Sequence, residues 1–202
     1  MLTAQGQSFC AGFDLGELEQ GDGAADPQLF ERTVDALEAL PLPTLARLNG
    51  SVYGGATDLA LACDFRVGVQ GMELRMPAAR LGLHYCPGGL RRYVTRLGLA
   101  AAKRLFLLAD TVGGGELLRM GYLDELVEPE ALDERVEALA AALLAGAPLA
   151  VKGMKASLDE IARGDFDLPR LRQREAACAA SDDLREGLAA FGERRAPRFS
   201  GR

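Results

Sequence analysis

Cysteine is scarce and scattered in this sequence: Cys10, Cys63, Cys86 and Cys178 form no CxxC pair and join no Cys/His cluster. That pattern excludes a zinc site of the usual spacing and a disulfide framework, and it reads as reduced thiols in a cytoplasmic chain with no metal centre. Histidine occurs once, as His84. No apolar run approaches the roughly 18 residues that a membrane-spanning helix needs. The opening MLTAQGQSFC has neither a basic leader nor a signal-like apolar core, so no membrane partner is expected. Positive charge is in deficit, with 23 Lys and Arg against 29 Asp and Glu and a formal charge of −6. A nucleic-acid partner bound through the field of the whole molecule is thereby excluded. Two nucleotide-binding signatures, GxxxxGK[ST] and GxGxxG, are missing, and no repeat of fixed period or low-complexity tract is present.

What is present suffices for a core. The 202 residues are 49% hydrophobic, enough for one domain or one domain with a docked helical extension. Leu2 and Thr3 read as the tail of a strand, and the polar, glycine-rich residues 15–25 as a surface loop. Asp26 is a good N-cap with Pro27 at the first helical position, and Leu29, Phe30, Val34, Leu37 and Leu40 supply one apolar face. Pro41 and Pro43 end that helix. Thr44 to Leu48 predicts a strand, Asn49-Gly50 a turn, Gly55 to Ala62 a buried helix and Phe65 to Val69 an alternating strand. Further helices are expected near 99–109, 115–120, 130–145, 148–162 and 169–195, with Gly121 placed to cap one of the shorter ones. Alternating elements followed by a helical tail indicate an α/β fold, a core over residues 1–140 and a helical region over 141–202.

The stretch NGSVYGGATDLALACD carries the first chemical signal. Gly54 and Gly55 run into an apolar helix, and a glycine pair there lets backbone N–H groups meet a ligand oxygen while the helix dipole favours negative charge. Tight packing in a turn would use the same two glycines. Asp58, the one charge inside the segment, has two readings as well. An acid in the first turn stabilises the dipole; alternatively, burial beside Leu59 and Leu61 raises its pKa and suits it to proton exchange.

SFCAGFDL places a second small-residue turn, Ala11-Gly12, just after a strand and before Phe13 and Asp14. With NGSVYGGA, LACDFRV and SDDLREGLAAFGERRAPRF, it closely resembles the crotonase superfamily of enoyl-CoA hydratases and isomerases, over residues 2–199. The resemblance implies a crotonase-like spiral of β-β-α units, with the C-terminal helices serving trimerisation and covering coenzyme A. It implies an acyl-CoA thioester as substrate, no cofactor beyond the CoA that arrives with it, and a homotrimer or a hexamer built as a dimer of trimers. The family's two oxyanion-binding N–H groups carry over to Phe13 and Gly55, with Ala11, Gly12, Asp14 and Gly54 around the substrate. The first of the family's two catalytic glutamates falls at Asp58, shorter by one carbon–carbon bond, about 1.5 Å. The second falls at Ala78, which has nothing to titrate, and acid–base catalysis needs such a group within reach.

Tyr85, in LGLHYCPGG, is similar to the methylmalonyl-CoA decarboxylase branch, where a phenol could hold a substrate carboxylate; Phe13 stands where that branch has histidine. His84 is either a solvated loop residue or part of the pocket. Arg194, Arg195 and Phe199 fall where the family tail covers the CoA nucleotide, and the two cations equally suit a solvated helix end. Three functions stand in order: hydration or isomerisation using Asp58, decarboxylation assisted by Tyr85, and non-catalytic acyl-CoA binding. Family members run about fifty residues longer at the N-terminus, so core strands are expected to be missing, with Met1 an internal start or the gap closed by association.

Overall fold

Four short strands form a parallel sheet in the order β1-β2-β4-β7. They are β1 (Leu2–Thr3), β2 (Leu45–Leu48), β4 (Phe65–Val69) and β7 (Glu125–Val127). A second sheet has β3 (Val52–Tyr53) parallel to β5 (Glu73–Arg75), which runs antiparallel to β6 (Val112–Gly113). The computed structural model describes residues 1–13, 26 and 28–202. The expected loop at 15–25, Asp14 and Pro27 lie outside them.

The strands expected at Leu2, Thr44–Leu48 and Phe65–Val69 are present, but the alternation read in the last is not. β4 pairs on both edges, with β2 and β7, and Arg66 to Val69 are all buried. A parallel strand covered on both faces has no polar face to show. Thr44 and Asp64 lock the starts of β2 and β4 together: the Thr44 N–H and hydroxyl donate to Asp64 Oδ2 at 2.7 and 2.9 Å, and the Asp64 N–H returns a bond to the hydroxyl.

Helix α1 (Leu29–Glu38) starts two residues later than an Asp26 cap predicts, with Gln28 at its N-cap, and the Asp26 carboxylate instead accepts the Gln28 N–H at 2.9 Å in the turn before it. Helix α2 (Gly55–Ala62) is the expected buried helix, with Ala60, Leu61 and Ala62 fully covered. Helix α3 (Pro87–Lys103) starts a dozen residues before the helix expected near 99. Pro-Gly-Gly reads locally as a turn, yet proline at the first helical position is preorganised for a helix. Gly98, at φ 80° and ψ 161°, breaks α3 where the expected helix began. A π-helical turn, Arg104–Leu108, and α4 (Gly114–Arg119) lead to β7.

The chain divides into two compact units, Met1–Leu40 with Thr44–Val136, and Pro41–Pro43 with Glu137–Arg202. Helix α5 (Leu132–Leu144) begins in the first. The second contains α6 (Pro148–Arg163), α7 (Leu168–Ala179) and α8 (Asp182–Glu193). The single helix expected over 169–195 is therefore two. Ser181 caps the second, accepting the Leu184 N–H at 3.1 Å, and a side-chain cap forces non-helical backbone at its own position. Glu160 of α6 receives Arg174 of α7 at 2.6 and 3.0 Å; these hydrogen bonds, with help from Arg170, hold its carboxyl down to about 2.

Candidate active site

The mouth of α2 is shaped by backbone that only glycine tolerates. Gly54 sits at φ 56° and ψ −130°, its N–H tied to the Arg75 carbonyl at 2.9 Å, and its carbonyl accepts Thr57 N–H and hydroxyl. Gly12, at φ 96°, lies against it: a Cβ on Gly12 would come within 2.8 Å of the Tyr53 carbonyl oxygen. The Ala11-Gly12 turn and the Gly54-Gly55 turn are thus brought together, as Cys10 bridges to Val52 and receives the Tyr53 N–H. The Phe13 and Gly55 amides have no hydrogen-bond acceptor among the described residues. Phe13 is 55% exposed, so its side chain is not a core aromatic. Across from Gly55 stands the ring of Phe30 from α1, 2.9 Å from where a Cβ on that glycine would be.

The far end of α2 is closed electrically. Arg96 donates to the Leu61 and Cys63 carbonyls, each at 2.6 Å, and Arg66 to Cys63 at 2.6 Å. Arginine at a helix C-terminus both satisfies orphan carbonyls and opposes the dipole's negative end.

One turn inside α2, Asp58 is fully buried. It is not alone, although nothing around position 58 in the sequence signals a partner: Arg92 of α3, also fully buried, donates to its Oδ1 at 2.6 Å. Arg92 is gripped in turn by α1, with Asp35 at 2.6 Å and Glu38 at 3.1 Å. Burial pushes the Asp58 carboxyl above the usual aspartate range, and the Arg92 charge and hydrogen bond oppose that rise. Burial would also raise Glu38, but a hydrogen bond from Arg91 and the charges of Arg92, Arg91 and Arg96 outweigh it and hold Glu38 low. Two stripes make this interface. Glu31, Asp35 and Glu38 share a face of α1 at helical spacing, and opposite them lie the Gly88 N–H, bound by Glu31 at 2.7 Å, then Arg92 and Arg96. Both stripes were open to a reading of charge periodicity.

Tyr85 precedes α3 and packs its ring 5.2 Å from Phe106, which meets Tyr93 edge-on at 4.7 Å. Its hydroxyl is buried and has no partner among the described residues; the same is true of Asp58 Oδ2. Gly89 explains how they come close. A Cβ there would lie 2.3 Å from Tyr85 Cε1 and 2.7 Å from Asp58 Oδ2, so no larger residue fits without displacing one of them. Burial, with the Asp58 charge nearby, pushes the Tyr85 phenol well above its ordinary value and keeps it protonated. Ala78 is buried, and His84 is exposed with Nδ1 at 2.9 Å from the Tyr85 carbonyl oxygen.

The remaining sequence candidates lie in the second unit. Arg194 is exposed and ends α8 at φ 55°. Arg195 is held by Glu186 at 2.6 and 2.9 Å and by Glu193 at 2.6 Å, so its charge is already matched by carboxylates. Phe199 lies over Gly187, 3.6 Å from where its Cβ would be. Among the described residues no group of three or more metal-binding side chains exists, and no single helix is long and apolar enough to cross a membrane.

An α/β chain of short parallel strands wound around a glycine-opened helix has the crotonase fold. It superposes on an enoyl-CoA hydratase/carnithine racemase from Magnetospirillum magneticum with a TM-score of 0.90 at 25% identity, covering 98% of this chain and 76% of that one. It likewise matches an enoyl-CoA hydratase from Bacillus anthracis with a TM-score of 0.85 at 27% identity, over 98% and 79% of the two chains. The family model described as enoyl-CoA hydratase/isomerase matches residues 1–202, and the chain belongs to that family. A crotonyl-CoA hydratase of Syntrophomonas wolfei is 32% identical over 98% of this chain and 79% of its own. A short-chain-enoyl-CoA hydratase of Clostridium acetobutylicum is 30% identical over 96% and 77%. The protein is an enzyme of the hydratase/isomerase type. None of these four relatives is named for decarboxylation.

Proposed function

We propose that this enzyme acts on a short enoyl-CoA thioester and stabilises the enolate formed from it between the N–H groups of Phe13 and Gly55. The observation that carries the reading is the pair of unsatisfied amides on two glycine-shaped turns packed together at the positive end of α2. Charge that develops on a thioester oxygen finds donors already aimed, and one such donor is worth about 3 to 4 kcal/mol in related chemistry. Asp58 is the carboxylate of the site, with Ala11, Gly12 and Gly54 shaping the approach and Phe13 free to contact the acyl group. No resident cofactor enters, because CoA comes with the substrate. A homotrimer or dimer of trimers in the cytoplasm completes the reading. Exposed Leu188 (66%) and Phe191 (86%) on α8 support association, which light scattering tests.

The test removes one donor. Proline is tolerated at a first helical position and has no N–H, so Gly55→Pro deletes the donor while keeping α2. Because the new ring would strike Phe30, the comparison is Phe30→Ala against Phe30→Ala/Gly55→Pro. The second should hydrate crotonyl-CoA with kcat lower by about 10²- to 10³-fold and KM little changed. An unchanged kcat would remove Gly55 from the mechanism.

A further inference from the structure

The Gly55 N–H is one end of the peptide that joins it to Gly54, and the other end of that peptide, the Gly54 carbonyl, is bound twice inside the protein. The Thr57 N–H reaches it at 3.1 Å and the Thr57 hydroxyl at 2.7 Å. Behind that hydroxyl lies Tyr93 of α3, whose phenol donates to Thr57 Oγ1. The direction of this chain is forced. A carbonyl oxygen can only accept, so the single Thr57 proton goes to Gly54, and Oγ1 is left to accept the Tyr93 O–H. Thr57 and Tyr93 are both 0% exposed, and burial pushes the Tyr93 phenol far above its ordinary value, so it keeps its proton. A second tyrosine, Tyr122, is buried as deeply and donates to the Thr57 carbonyl at 2.8 Å, a bond that leaves the peptide between Gly54 and Gly55 untouched.

Resonance couples the two ends of a peptide: density drawn onto the carbonyl oxygen leaves the nitrogen more positive and its N–H a stronger donor. In a low-dielectric interior, successive hydrogen bonds also polarise one another. Resting on the thioester reading, we infer that the buried chain from Tyr93 through Thr57 to the Gly54 carbonyl aims and strengthens the Gly55 N–H toward the thioester oxygen. Thr57 and Tyr93 are positioning residues, acting through the Gly54 peptide and not on the substrate. The anchor has work to do because Gly54, at φ 56° and ψ −130°, sits where glycine has most freedom to turn. Two bonds on its carbonyl keep the plane of that peptide from rotating as charge develops, so the donor is oriented by folding and not during the reaction.

The thioester carbonyl itself reports the pull. Butyryl-CoA has no double bond to hydrate, and with a heavy-carbon label at its carbonyl the infrared stretch of that group can be followed in the bound state, falling as the oxygen is hydrogen-bonded. Wild-type protein should lower the stretch relative to the free ester. Thr57→Val, which keeps the branched shape and loses the hydroxyl, should reverse part of that shift. It should also lower kcat for crotonyl-CoA about three- to tenfold with KM held, the size of one neutral hydrogen bond. Thr57→Ser, which returns the hydroxyl, should recover both, and Tyr93→Phe, which keeps the ring against Phe106, should give a smaller change of the same sign. Tyr122→Phe deletes an equally buried bond to the same threonine and should lower Tm while leaving the stretch and kcat near wild type. A stretch and kcat unmoved by Thr57→Val, or moved as far by Tyr122→Phe, overturn the positioning role and leave the thioester site standing. Failure of the wild type to bind butyryl-CoA, or binding with no shift, overturns the thioester reading and this inference with it. Should Thr57→Val fail to fold, Tyr93→Phe against Tyr122→Phe decides in the same way.

Discussion

Replacing Arg92 with methionine isolates what that buried arginine does for the fold. Methionine keeps much of the volume and removes the charge. Of the three carboxylates Arg92 holds, Asp35 is 45% exposed and returns to water at little cost. Glu38 keeps Arg91 at 2.7 Å and Arg96 at 3.4 Å. Asp58 keeps nothing charged, and it is 0% exposed. The loss therefore concentrates on one orphaned carboxylate, and stranding a buried charge in this way costs about 3 to 5 kcal/mol. For a chain of this size that is a fall in Tm of roughly 6 to 20 °C. The sign with pH follows from burial, which already raises Asp58; without Arg92 it rises further. A carboxyl raised in the folded state costs nothing below its unfolded value, and the penalty builds as pH climbs through the folded one. Urea denaturation followed by circular dichroism should show the Arg92→Met deficit larger at pH 8 than at pH 5. Asp58→Asn in the same background should recover much of it. A deficit below about 1 kcal/mol, or one indifferent to Asp58→Asn, would refute the assignment of Arg92 as the counter-charge.

Two further outcomes follow from neighbouring contacts. Gly89→Ala drives a methyl into Tyr85 and Asp58, and overpacking of this kind should cost about 1 to 3 kcal/mol in urea denaturation and lower the crotonyl-CoA hydration rate together. Glu38, held low by its arginines, contributes stability that is present above its unfolded value near 4.5 and lost as pH falls through the folded one. Glu38→Gln should therefore lose about 1.5 to 3 kcal/mol at pH 7, the range for charged hydrogen bonds, with the gap to wild type narrowing in acid.

The elements legible in the sequence are those whose signal is local. Gly54 and Gly55 before a run of small apolar residues, and the β-rich Phe65 to Val69, carry their pattern within one window. Pro87-Gly88-Gly89 does not, because the helix start there depends on Glu31, fifty-seven positions away, accepting the Gly88 N–H. The break between α7 and α8 is marked by Ser181-Asp182-Asp183, a cap followed by first-turn acids, but the flanking residues favour helix on both sides and mask it. At the site, Asp58 was visible and its partner was not. Nothing near position 58 announces an arginine at 92, whereas the stripe Glu31, Asp35, Glu38 did announce that some cationic face must meet α1.

Helix α2 has one pole neutralised and one left open. Arg66 and Arg96 occupy the carbonyl end, while the two glycines leave the amide end bare. Neither an arginine nor a peptide N–H gains or loses a proton across the working range of an enzyme. The pull on a negative charge at that mouth is therefore a constant of the fold, the same in mild acid as in mild base. Any bend in the pH–rate curve has to be written by groups that titrate, and the helix supplies a flat baseline against which the carboxylate can be timed.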